Sequence, residues 1–274
     1  MIKVIWTGAA GLRFETSNEI ILIDPFYTRV NLFSSMFGSI TPDETAIAQA
    51  LPDTDMAKVT GVIVGHTHSD HALDVPTIIS KSAAKLVGSR SLDTLMALSG
   101  QPGRTTVCSG GETIVLSDHA AVTMIRSAHG SVFMGKVPFA GKISSSARLP
   151  MKAGGYRAGT VFAPRLEIDG TAFVHVGSAD FSEEAIQGHT CDVLFLCAAG
   201  WKKREGQAHR LIDITQPDVV VLIHYDDFSK PHREGAKTRK RLLLDVRGLV
   251  RNIKEHAPAI NVVVPAINAV MSFG

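Results

Sequence analysis

Seven consecutive residues, Gly65-His66-Thr67-His68-Ser69-Asp70-His71, set three imidazoles and a carboxylate side by side. Packing alone gives no reason to crowd such groups together, because each costs free energy to bury unless something compensates it. The residues before them, Val62-Ile63-Val64, are apolar and β-branched and predict a buried strand. An extended backbone points His66 and His68 to the same side, and Asp70 and His71 fall just beyond, where the chain must turn. A rigid strand end running into a loop is a good place from which to aim side chains at a ligand. A lone histidine is more often packed or solvated than ligating. Three of them with an aspartate at this spacing suit a divalent zinc, manganese, iron or nickel ion.

Other apolar runs end in the same kind of residue. Leu22-Ile23 leads to Asp24, which reads either as a turn residue or as an acceptor for a ligand's ring N–H. The strand pattern Ala121–Ile125 leads to His129. The two strand patterns 159–168 and 171–176, joined by the turn Asp169-Gly170, lead to Gly177 and then Asp180. Asp180 reads either as a helix cap before Glu183–Gln187 or as a carboxylate bridging two metals. His175 is a rival in that segment, but it lies inside an apolar strand and is expected to be packed. The unbroken run Val219–Ile223, buried on both faces, ends at His224. Helices are expected near 44–51, 73–80, 91–98 and 207–214, and a long one over 237–255. In that last helix Leu242, Val246, Leu249, Val250 and Ile253 form one apolar stripe. Residues 27–42 read as a loop with apolar tips. Residues 131–157 mix glycines with Lys136, Lys142, Arg148, Lys152 and Arg157. That stretch is either a solvated connection or a mobile flap that attracts an anionic substrate, with Lys136, Lys142 and Arg157 as its contacts.

His-x-His-x-Asp-His after a buried strand resembles the signature of the metallo-β-lactamase-fold superfamily, and further ligand positions follow in order along nearly the whole chain. Within that superfamily the chain looks similar to the branch of L-ascorbate-6-phosphate lactonase and related metal-dependent hydrolases. The resemblance implies an α+β fold, an αββα sandwich of two mixed β-sheets face to face with helices on both outer faces. It implies one domain over 1–274, made of two pseudo-symmetric halves, about 1–130 and 158–274, each giving one sheet. It also implies two divalent metal ions, zinc foremost. His66, His68 and His129 would hold one; Asp70, His71 and His224 would hold the other; Asp180 would bridge them, and Asp24 would support a ligand from behind. Asp180 departs from the pattern, because many members place the acid directly after the glycine, here Gly177. The implied chemistry is hydrolysis by a metal-bridging hydroxide, oriented by Asp70, on a small anionic ester, lactone or phosphodiester. The alternatives are a phosphodiesterase acting on nucleic acid and a metal-binding scaffold or sensor without turnover.

Composition narrows these readings. The 274 residues carry a formal net charge of +2, too small to imply a nucleic-acid partner. No run approaches the ~18 apolar residues of a membrane span. The cysteines Cys108, Cys191 and Cys197 are sparse and odd in number, which fits a reducing compartment and, by default, the cytoplasm. The expected partner is a small anionic molecule, with no nucleic acid and no membrane; a homo-oligomer is left open.

Overall fold

The computed structural model describes residues 1–31, 37–131, 136–204, 206–230 and 237–274. The chain begins with β1 (Ile2–Gly8), β2 (Gly11–Glu15) and β3 (Ile20–Ile23), followed by the two-residue β4 (Ser39–Ile40). Next come β5 (Val59–Ile63), which leads into the histidine motif, β6 (Lys85–Gly88) and β7 (Thr105–Val107). The later strands are β8 (Thr113–Val115), β9 (Ala120–Arg126), the short β10 (Met151–Lys152), β11 (Phe162–Ile168) and β12 (Thr171–Val176). The last are β13 (Val193–Cys197), β14 (Val219–Ile223), β15 (Asn261–Val263) and β16 (Val270–Phe273).

These strands make two seven-stranded sheets, ordered β16-β1-β2-β3-β5-β6-β7 and β15-β14-β13-β12-β11-β9-β8, while β4 pairs with β10. Both are mixed. β1, β2 and β3 pair antiparallel, and β3 pairs parallel with β5. In the second sheet β9, β11 and β12 are antiparallel, whereas β12, β13 and β14 run parallel. The expected division into one sheet per half needs correction. β8 and β9, from the first half, belong to the second sheet, and β16 closes the first sheet against β1.

The strand alternation explains the layers. Ile21, Ile23, Ile63 and Val87 face the core between the sheets, while their neighbours Leu22, Val62 and Leu86 face a second core. That second core takes in Ile78 and Ile79 of the helix Val75–Ser80 and Leu92, Leu95 and Met96 of the helix Arg90–Leu98. Between the sheets Phe14 meets Phe173 and Phe195 edge-on, with ring centroids 5.1 and 5.9 Å away. Each of these fully buried rings contributes about 1.5–3 kcal/mol through apolar burial. The helices Gln207–Thr215 and Val246–His256 cover the other side with Leu211, Leu249 and Ile253. The result is the four-layer αββα sandwich.

Two helices differ from expectation. The helix expected at 73–80 begins at Val75, and a separate single turn, Ser69–Ala72, precedes it; between them the Asp74 carboxylate accepts from Tyr27 N, Thr28 N and Thr28 Oγ1. The long helix expected over 237–255 begins only at Val246, where Asp245 caps it by accepting from Gly248 N at 2.8 Å. The residues before it run back along the end of β14. Arg241 N donates to Tyr225 O, and Asp227 N donates to Arg239 O. Leu242, expected in the apolar stripe, is 86% exposed. Among the described residues no helix is long and apolar enough to cross a membrane.

Candidate metal centre

The ends of β3, β5, β9 and β14 deliver Asp24, the 66–71 motif, His129 and His224 to one edge of the sandwich. Two groups of donor atoms meet there. His66, His68 and His129 each offer a ring nitrogen within 4.8 Å of the others, and so do the donor atoms of Asp70, His71 and His224. The groups abut, because the His66 and His71 rings lie 3.7 Å apart, centroid to centroid. Residues at sequence positions up to 158 apart thus share one site, as the strand-end reading expected.

Hydrogen bonds orient the rings of the first group. A carbonyl oxygen can only accept, so the nitrogen facing it must carry the proton. His68 Nε2 donates to Pro138 O at 3.0 Å, and His129 Nδ1 donates to Gly130 O at 2.8 Å. The opposite nitrogens, His68 Nδ1 and His129 Nε2, keep their lone pairs for the shared space. His68 Nδ1 lies 3.0 Å from His66 Nε2. Burial pushes His66 well below the ordinary imidazole range, and the neighbouring imidazoles, His71 first, push it the same way. Burial also pushes His68 down to about 4 against the pull of Asp70, and it lowers His129. All three are held in the neutral form that ligates metal.

The second group is held by carboxylates. His71 Nδ1 donates to Asp24 Oδ2 at 2.8 Å, while Asp24 Oδ1 accepts from Gly65 N at 2.7 Å. Asp70 Oδ2 lies 3.4 Å from His224 Nε2 and 3.8 Å from His71 Nε2. Burial opposes ionisation of Asp70, but His71 and His224 hold its carboxyl well below the usual carboxylate range. Burial lowers His71, yet Asp24 and then Asp70 outweigh it and raise the ring above its ordinary value. Asp24 and His224 both sit at positive φ, +46° and +57°. Such strain in non-glycine residues is found where the fold must aim a side chain. Gly177 has to be glycine, since a Cβ there would come within 2.5 Å of His175 Cε1 and 3.2 Å of Asp24 Oδ2.

The donor set therefore fits two divalent ions in its chemistry: five imidazoles and a carboxylate, with lone pairs converging from rings fixed on their far sides. The cavity beside them has a volume of about 300 Å³ and is walled by Phe26, Val30, Phe139 and Phe228 as well as by the ligating side chains. His175 is packed, as expected. Its Nε2 donates to Ala10 O at 2.8 Å and it belongs to neither group.

Other expectations need correction. Asp180 belongs to neither donor group. Its carboxylate accepts from Phe181 N at 2.8 Å and is paired with the Arg204 guanidinium, and Asp180 is not among the described residues lining the cavity. The cavity wall there carries Ser178, directly after Gly177, and Ser178 Oγ accepts from Gly130 N at 3.3 Å. The 131–157 stretch does border the site, but through Pro138 and Phe139. It is tied to the motif by Thr67 N donating to Ala158 O and Thr67 Oγ1 donating to Arg157 O. Lys136, Lys142 and Arg157 are exposed and are not among the described residues lining the cavity. Residues 132–135 of that stretch, and 32–36 of the apolar loop, lie outside the described residues. The cation that does line the cavity is Arg241. It was concealed within the overextended helix, although the cap signal at Asp245 marks where that helix starts.

Known proteins are similar to this chain over most of its length. The sequence is 26% identical to a metal-dependent hydrolase of Anaeromyxobacter sp. (strain K) over 267 residues, 93% of this chain and 85% of that protein. It is 25% identical to a metal-dependent hydrolase of Pyrococcus furiosus over 231 residues, 82% of this chain and 85% of that one. Among solved structures, a metallo hydrolase of Ignicoccus hospitalis matches with a TM-score of 0.62 at 17% identity, covering 100% of this chain and 98% of the other. A diiron β-hydroxylase of Streptomyces venezuelae matches with a TM-score of 0.63 at 13% identity, over 99% of this chain and 54% of that one. The same fold therefore serves different chemistries, and at these identities structural likeness speaks for fold only. The family model of the β-lactamase superfamily domain matches residues 20–225, and the chain belongs to that family.

Proposed function

We propose that this chain is a dinuclear metal-dependent hydrolase that cleaves a small anionic ester, lactone or phosphodiester, with zinc the best-suited metal. The observation that carries the reading is the convergence of two three-donor groups on one cavity. The names of the relatives, metal-dependent hydrolases, support the reaction class. Bound divalent ions would supply Lewis acidity and a water acidic enough to act as nucleophile near neutral pH.

The chain's own groups do the rest. His66, His68 and His129 present neutral nitrogens, so no proton has to leave before they ligate. Asp70 stays ionised and faces the cavity, where its carboxylate orients the attacking water by accepting a hydrogen bond. Asp24 fixes the His71 ring. Phe26, Phe139 and Phe228 exclude bulk water from one side and strengthen every electrostatic contact within.

The test is metal analysis of protein purified without chelator, followed by a panel of esters, lactones and phosphodiesters. About two ions per chain and turnover that is lost with chelator are expected. Absence of bound metal, or full loading with no turnover across the panel, overturns the reading.

A further inference from the structure

The geometry points to an oxyanion subsite beside the metal cavity, with Arg241 as its principal contact; we propose that it binds the anionic end of an amphipathic substrate. The identity of that ligand as substrate rests on the hydrolase reading above. The subsite itself rests on separate observations.

Arg241 is carried on the backbone that pairs with the end of β14, one residue beyond His224, its N–H bonded to Tyr225 O at 2.9 Å. It lines the metal cavity and also a neighbouring cavity of about 260 Å³, and the two share Ala179 and Ala199 as well. The second cavity is further lined by Lys203, Arg204 and Leu242–Leu244, and no Asp or Glu is among the described residues lining it. A lining that carries cations and no acid favours a negatively charged guest.

The three cations are not equivalent. Arg204 is neutralised by Asp180. The Arg241 guanidinium has no carboxylate partner among the described residues and lies 5.9 Å from the centroid of the Phe228 ring. Asp245, the acid nearest in sequence, pairs with Lys202 at 3.0 Å; of the two acids that line a further cavity with Arg241, Asp226 Oδ1 accepts from Ala9 N, and Asp227 pairs with Lys230 at 3.1 Å. A planar fork of donors supported on an aromatic face is suited to a carboxylate or phosphate oxygen pair. Phe228 on one side and the leucines on the other give an apolar surround. The ligand class that follows is a small molecule with a carboxylate or phosphate at one end and an apolar body that reaches towards the metals.

Phenylphosphonate, a non-hydrolysable dianion with an apolar ring, is a suitable probe. Its affinity for metal-loaded full-length protein is measured by calorimetry for wild type, Arg241→Lys, Arg241→Ala and Arg241→Glu. Loss of one charge-assisted contact should weaken binding about tenfold in Arg241→Ala. Arg241→Glu should weaken it further, Arg241→Lys less, and added salt should weaken the wild type more than Arg241→Ala. Affinities within about twofold of wild type in both Arg241→Ala and Arg241→Glu would mean that the metals alone hold the anion, and the subsite is then wrong. Absence of wild-type binding overturns it as well. Failure of the hydrolase reading is seen elsewhere, as absent turnover by wild type, and leaves these binding ratios standing.

Discussion

The two donor groups of the site touch, yet they are built differently. His66, His68 and His129 bring no formal charge, and two of their rings are fixed by backbone carbonyls, Pro138 O and Gly130 O. Asp70, His71 and His224 include a carboxylate, and His71 is backed by a second one, Asp24. A carbonyl sets which nitrogen is protonated and adds little charge. A carboxylate does the same and also makes the ring more basic. A divalent ion would therefore meet three neutral donors on one side and a negatively charged, proton-competing set on the other. On the proposed dinuclear reading, one fold would prepare its two cation positions by different means, tautomer control in the first and charge in the second.

Removing the charge at its source should break the contrast most severely. Asp70→Ala leaves the second group with two imidazoles, and metal analysis should find about one ion fewer per chain, with turnover down by about 10²–10⁴. His68→Ala should remove the other ion. If either variant loses both ions together, the groups are not separate and the comparison fails. Asp24→Asn is gentler. Asparagine tolerates the left-handed backbone at this position and keeps an acceptor for Gly65 N, but it withdraws the charge behind His71. The metal of the second group should bind about 10–100-fold more weakly, with the first group unaffected. Chelator competition on the variant checks this.

Acid should separate the groups in order. His71 is raised by Asp24 and Asp70, so its proton competes with metal at a higher pH than any proton on His68, which burial pushes down from 6.5 to about 4. As pH falls, the second group should empty first and the first group only at a lower pH. Metal content after dialysis at stepped pH reads this directly, and simultaneous loss would contradict it. In the metal-free protein the two rings act on stability with opposite sign. His68 binds a proton less readily folded than unfolded, so its contribution declines as pH drops from 6.5 towards 4. His71 binds one more readily, so its contribution is complete below the unfolded value and is lost as pH rises through its raised value.

How much of this was legible in the sequence follows from where each signal lies. The 66–71 motif is local, and its spacing alone places four groups together. His129 and His224 were readable because each follows an apolar run, and strands of one sandwich end at common edges. Asp180 was misread because its partner, Arg204, is on another loop, and nothing near Gly177 announces that pairing. The helix over 237–255 was overextended because Leu242 continues an apolar period that the Asp245 cap interrupts. The exchange of β8, β9 and β16 between sheets was hidden because a strand's pattern records how its faces are buried, not which sheet it joins.

The smallest expected effect sharpens the contrast from outside the donor groups. The 131–157 stretch reaches the neutral group through Pro138 O on His68 and the Phe139 ring, 6.3 Å from His68. Its cations Lys136, Lys142 and Arg157 are not among the described residues lining the cavity, and Arg157 Nη1 is 3.4 Å from Ala140 O. A charged ligand would then feel the stretch as a wall, and exposed charges at a distance are screened within about 8–10 Å. Lys136→Ser, Lys142→Ser and Arg157→Ser, singly, should each change KM for an anionic substrate by less than about twofold. A several-fold rise in KM, reversed by no change in salt, would bring those side chains into the cavity. The neutral group would then have a source of charge selection of its own, and the division of labour between the two groups would have to be redrawn.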